Sequence, residues 1–164
     1  MKRNITSIVI HCTATREDQQ LTPMDLITMH RKRGFHGCGY HWYITRDGEI
    51  HPMRPESQVG AHAKGHNENS IGIAYEGGLD VDGRAKDTRT GQQKRSLRVL
   101  IRVLMTEYPI TCVVGHRDLS PDLNGNGIVE PHEWTKMCPC FDVQSEYHNL
   151  VRMMIDRRGV SEAD

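Results

Sequence analysis

The chain has 164 residues, 37% of them apolar, and its 21 Lys plus Arg are balanced by 21 Asp plus Glu. That length supports one hydrophobic core with little left for a second, and the even charge excludes binding dominated by nucleic-acid phosphate or anionic lipid. No apolar run approaches the roughly 18 residues of a membrane span, and the opening MKRNITSIVIHCTAT is too short in apolar residues for a signal peptide.

The expectation is therefore a cytoplasmic protein as synthesised, monomeric, with no nucleic-acid partner and no membrane insertion. Five cysteines are an odd count, and two of them stand as Cys138-Pro139-Cys140. Without a small secreted domain's setting, reduced thiols fit better than a disulfide framework.

Residues 5–10 read as a strand entering the core, with His11 where it would leave. Cys12 would point to the opposite face if the strand continues. Thr22-Pro23 reads as an N-cap followed by proline in the first helical position, and Gly34 would stop a helix running to about Arg33, with Leu26, Ile27 and His30 inward. Residues 39–44 and 49–50 flank Asp47-Gly48 as a hairpin, with Tyr40, Trp42 and Ile44 on one face and His41 and Tyr43 on the other.

The polar loop at 57–70, with two histidines, reads as a binding rim or a plain surface loop. Residues 71–75 form another short strand. From Gln92 to Tyr108, Leu97, Leu100, Ile101, Leu104 and Met105 recur at helical spacing, and Pro109 ends the helix. Asp142 can cap a last helix to about Arg157.

The stretch from Cys112 to Val143 gathers the chemistry. A strand delivers His116, and a long polar loop closes on Lys136 and Cys138. Imidazole and thiolate are good ligands for a borderline-soft ion such as zinc, and His11 is the candidate third ligand. Strands interleaved with helices predict one α/β domain over 1–164, a mixed central sheet flanked by helices, with the core at about 5–157 and a frayed tail at 159–164.

His11, Gly39-Tyr40-His41, the loop from Gly60 to Asn67 leading into Ile71-Gly72-Ile73, Gly115-His116-Arg117-Asp118 and Lys136-Met137-Cys138-Pro139 together resemble the type 2 N-acetylmuramoyl-L-alanine amidases. That family includes short phage lysozymes of the T7 type and shares its fold with peptidoglycan recognition proteins. The resemblance implies Zn2+ on His11, His116 and Cys138, Tyr40 and Lys136 as catalytic helpers, and His62 and Asn67 as substrate contacts.

It further implies peptidoglycan or muropeptides as partners and hydrolysis of the lactyl–L-Ala amide. The setting would be a phage endolysin or a cytosolic muropeptide-recycling enzyme; a module that only binds peptidoglycan is the rival. Lys136, Tyr40 and Glu76 remain open as proton donor to the departing amine. Cys140 as a fourth ligand would make the site structural, although the single residue between Cys138 and Cys140 is shorter than a zinc knuckle's spacer.

One segment departs from the family. Residues 122–133 fit D-x-[DN]-x-[DN]-G-x5-E at every fixed position, so Asp122, Asn124, Asn126, Ile128, Glu130 and Glu133 are candidate Ca2+ ligands. Ser120-Pro121 before it shows no entering helix, and a calcium-free Asn-Gly loop is the alternative.

Overall fold

Strand β1, Ser7–Cys12, alternates Ile8, Ile10 and Cys12 on one face with Val9 and His11 on the other, and five of its six residues are buried. It runs parallel to β5 (Ser70–Tyr75) on one side and to β7 (Cys112–Gly115) on the other. A strand buried on both faces reads as a nearly continuous apolar run, and β1 does. Outward from β5 lie β3 (Trp42–Ile44), parallel to it, and β4 (Ile50–Pro52), antiparallel to β3, giving the order β4-β3-β5-β1-β7. Short β2 (Thr15–Arg16) and β6 (Gly78–Leu79) pair beside it. The computed structural model describes residues 2–161.

Helices cover both faces of this mixed sheet. Thr22 caps α1 (Pro23–Lys32) in a capping box with Asp25, and Leu26 buries against Tyr43 and Ala74. On the opposite face, α2 (Gly91–Glu107), capped by Thr90 and Gln93, inserts Leu97, Ile101 and Leu104 against Ile8, Ile10, Ile71 and Ile73. The third helix, α3 (Val143–Ser161), adds Val143, Tyr147, Leu150 and Met154 to that cluster. Among the described residues no helix is long and apolar enough to cross a membrane.

Three expectations are corrected. The first strand is shifted to 7–12, so His11 lies within it rather than after it. The last helix continues to Ser161, four residues past Arg157, so the residues expected to fray at 159–161 are helical; 162–164 lie outside the described residues. Tyr40 packs with Tyr43 and Leu26 instead of sharing a face with Trp42 and Ile44. The regular β3 ladder begins at Trp42; His41 N–H still donates to the Gly72 carbonyl and the Tyr40 carbonyl accepts from Arg54 N–H, but these residues lie outside the strand and do not keep its alternation.

Candidate active site

Three elements deliver three ligand atoms to one place. His11 comes from β1, His116 opens the helical turn His116–Leu119 after β7, and Cys138 follows the turn Pro131–Glu133. One atom from each lies within 4.8 Å of the others. Gly115 makes the approach possible: a Cβ there would sit 2.6 Å from Pro139 Cδ, so any side chain would push the Cys138 segment away. Arg117 N–H donates to the Cys138 carbonyl at 2.8 Å and the Tyr75 hydroxyl to the Pro139 carbonyl at 2.6 Å. The Cys12 backbone N–H donates to Cys138 Sγ at 3.2 Å.

Tyr40 stands beside this cluster, its ring centroid 5.0 Å from that of His11. It is held there by His30, whose Nδ1 accepts the Gly39 N–H at 2.7 Å and whose ring lies 5.3 Å from Tyr40. Sequence periodicity marks His30 only as inward-facing. Its partner Gly39 comes back to it through the loop after Gly34, which no helical pattern reports. Glu76 lies elsewhere: its carboxylate accepts N–H groups of Leu21 at 2.8 Å and Arg46 at 2.9 Å and pairs with the Arg46 guanidinium. Cys140 Sγ faces the Gly78 carbonyl at 3.4 Å and does not join the His11, His116, Cys138 group.

Burial, then His62 and His116, hold the His11 pKa well below its ordinary 6.5. Burial followed by Lys136 brings His116 down to about 4, and burial followed by His41 brings His62 to about 3. The imidazoles are neutral at pH 7, and those of His11 and His116 can each offer a lone pair to a metal. Burial pushes the Tyr40 phenol above its ordinary range, so it stays a donor.

His41 carries a pH prediction outside the cluster. Its Nδ1 accepts the Gly72 N–H at 3.0 Å and its Nε2 lies 2.9 Å from the Gln58 carbonyl, so a second ring proton would face Gly72 N–H. Burial, opposed in part by the Gln58 bond, lowers it to about 4. Between pH 6.5 and about 4 the unfolded chain takes a proton that the folded chain refuses. Stability is present above 6.5 and lost as pH falls to about 4, by about 3 kcal/mol from this residue. Denaturant melts of metal-free wild type and His41→Gln should converge as pH falls; parallel pH slopes would refute the assignment.

A groove of about 510 Å3 opens beside the cluster, lined by His62, Asn67, His116 and Lys136, with Arg33 and Lys64 adding charge at the rim. The Asn67 side-chain Oδ1 accepts the His62 and Ala63 N–H groups, both at 2.9 Å, and so shapes the loop. His62 lines the groove with both ring nitrogens already near protein partners. The rim residues Arg33, Phe35 and Thr135 were not singled out from the sequence, because α1, the 60s loop and the 130s segment meet only in the fold.

The segment 122–133 satisfies its own polar groups. Asp122 accepts Gly125 and Gly127 N–H, Glu133 accepts Leu123, Asn124 and Glu130 N–H, and the Asn124 and Asn126 amides donate to Glu130. Ile128 donates its N–H to Asn126 Oδ1. The candidate metal-holding group there is Glu130, His132 and Glu133; Asp122 is not a member.

Residues 1–139 match the family model of N-acetylmuramoyl-L-alanine amidase, a span holding Tyr40, Lys136 and all three clustered residues. The chain belongs to this amidase family. The endolysin of Enterobacteria phage T3 is 35% identical over 151 residues, covering 92% of this chain and 91% of that one. The structure of N-acetylmuramoyl-L-alanine amidase LysC from Clostridium intestinale URNW is similar to this amidase at a TM-score of 0.70 and 35% identity, over 90% of this chain and 86% of the other. Drosophila PGRP-LB, at 20% identity and a TM-score of 0.64 over 90% and 81%, shares the fold.

Proposed function

We propose that this amidase holds a zinc ion on His11, His116 and Cys138 and hydrolyses the amide between the lactyl group of N-acetylmuramic acid and L-alanine in peptidoglycan. The observation that carries the metal is the convergence of two neutral imidazoles and a thiol within 4.8 Å, at the edge of a groove. Two nitrogens and one sulfur suit a borderline-soft ion, and three protein donors are the set of a catalytic rather than a closed structural site. When bound, the ion would supply hydroxide near neutral pH and polarise the scissile carbonyl.

The chain's own residues do the rest. Lys136 lies on the groove wall and Tyr40 against His11, so both can donate to the oxyanion that develops on the attacked carbonyl. Glu76, tied to Leu21 and Arg46, is the weakest of the three candidates for proton delivery to the leaving amine. Arg33, Lys64 and Lys136 give the groove a positive rim that complements carboxylates of a stem peptide. Asn67 acts on substrate through the loop it shapes.

The complete donor set favours an enzyme over a module that only binds wall material. The kinship with phage endolysins over most of the chain favours an enzyme that reaches the wall after release, rather than a recycling enzyme. Mass spectrometry of purified peptidoglycan after digestion, with and without a chelator, tests the reading. The expected products are free stem peptides and unsubstituted glycan, absent with chelator. Cleavage elsewhere, or unaffected by chelator, would overturn it.

Calcium at 122–133 is a separate proposal, supported by the sequence pattern. Because the loop's oxygens already have N–H partners, any affinity belongs in the weak range, about 10⁻⁴ to 10⁻³ M. Millimolar calcium should then raise the melting temperature of zinc-loaded protein more than magnesium does. No selective rise, or a rise that survives Glu133→Gln, would remove the proposal.

A further inference from the structure

We propose that His62 and Ser70 are positioning residues for the metal ligand His11, fixing its tautomer and ring orientation through a directed chain of hydrogen bonds that begins at the His66 carbonyl. The proposal rests on the reading of His11 as a zinc ligand.

The direction of each bond follows from the one before. Ser70 Oγ lies 2.6 Å from the His66 carbonyl, which can only accept, so the single hydroxyl proton is spent there. Toward His62 Nε2, 3.3 Å away, the same oxygen can then only accept, and Nε2 must carry the proton. A neutral imidazole with its proton on Nε2 has a bare Nδ1. That Nδ1 lies 2.9 Å from His11 Nε2, which therefore carries the His11 proton. What remains on His11 is a bare Nδ1, and this is the atom that faces Cys138 Sγ, 3.9 Å away. A ligand histidine's metal-binding nitrogen is set by the bond its other nitrogen makes, and here the setting traces back to a backbone carbonyl.

The His62 ring packs directly against two glycines. A Cβ on Gly72 would lie 2.6 Å from His62 Cγ and Cδ2, and a Cβ on Gly60 would lie 2.6 Å from Cδ2 and 2.9 Å from His41 Cε1. Two glycines thus form a slot that fits the imidazole and would fit nothing if either carried a side chain. The rings of His11 and His62 meet edge to face, with centroids 5.0 Å apart. Ser70 is fully buried at the start of β5 and absent from the groove lining, so it can reach the site only through His62. This separates positioning from substrate contact.

The test measures zinc affinity by competition with a chromophoric chelator, alongside kcat and KM on muropeptide. Ser70→Ala and His62→Leu are expected to weaken zinc binding by roughly 10-fold to 100-fold. His62→Gln, whose amide presents an acceptor and a donor at similar spacing, should recover most of the affinity. KM should be unchanged in Ser70→Ala at saturating zinc. Because a buried serine variant can lose stability, the ring nitrogens are also read in the unaltered protein: ¹⁵N shifts should show the Nε2–H tautomer for both His62 and His11.

A proton on His62 Nδ1 overturns the proposal. So does zinc affinity that is wild-type in both Ser70→Ala and His62→Leu, which would leave His62 as a groove residue only. Wild-type protein that takes up no zinc defeats the zinc reading and this role with it, a different result from tight zinc in every variant.

Discussion

Replacing Cys138 by serine is expected to abolish zinc retention and to lower stem-peptide release to the level of chelator-treated protein. Serine keeps the side-chain volume but not the ligand, since an alcohol stays protonated at neutral pH where a thiol beside a metal gives up its proton. The Cys12 N–H that points at Cys138 Sγ at 3.2 Å would then face a hydroxyl. Two imidazoles remain, one donor short of the set that holds a catalytic zinc. Losing the ion removes several kcal/mol of transition-state stabilisation, a rate loss of about 1000-fold or more. Metal analysis after gel filtration and the muropeptide assay check it. A Cys138→Ser protein that keeps one zinc and its turnover would refute the ligand assignment. Cys140→Ala should retain both, because its sulfur faces Gly78 instead of the cluster.

Lys136→Ala is expected to cost turnover selectively. The side chain is exposed on the groove wall, yet its charge is felt at the cluster, where it helps depress both His116 and His11. A cation there is placed to stabilise an oxyanion while contributing little to the core. The expected loss is about 100-fold to 1000-fold in kcat, equivalent to about 2.7 to 4 kcal/mol, with KM, zinc content and melting temperature near wild type. Activity within a few-fold of wild type would transfer the oxyanion role to Tyr40. A fall in zinc content would show that Lys136 acts on the ligands rather than on the reaction.

Local chemistry was readable along the chain wherever a residue's role depends on near neighbours. Thr22-Pro23 at the start of α1, the Asp47-Gly48 turn and the Leu97 to Met105 stripe all behave in the fold as their spacing requires. The alternation in β1 put Cys12 opposite His11, and the structure does so. Where the reading failed, the cause was a boundary: extending strand alternation back to Tyr40 assigned it the wrong neighbours, and the last helix outran its expected end.

What the sequence by itself determined is the inventory, meaning two histidines carried by two apolar strand segments, a cysteine beyond a polar loop, a lysine two residues before it, and an order of motifs matching one amidase family. What only the tertiary structure decided is their company. His11 and Cys138 are 127 residues apart and His11 and His62 are 51 apart, and no local pattern encodes such contacts. Parallel pairing of β1 with β5 and β7 brings them together, and the missing side chains of Gly115, Gly60 and Gly72 let backbone and rings close to contact distance. A proton's place on an imidazole depends on partners in all directions, so His62 reads as a groove residue in the sequence and as a support for His11 only once Ser70 and His66 are in position around it.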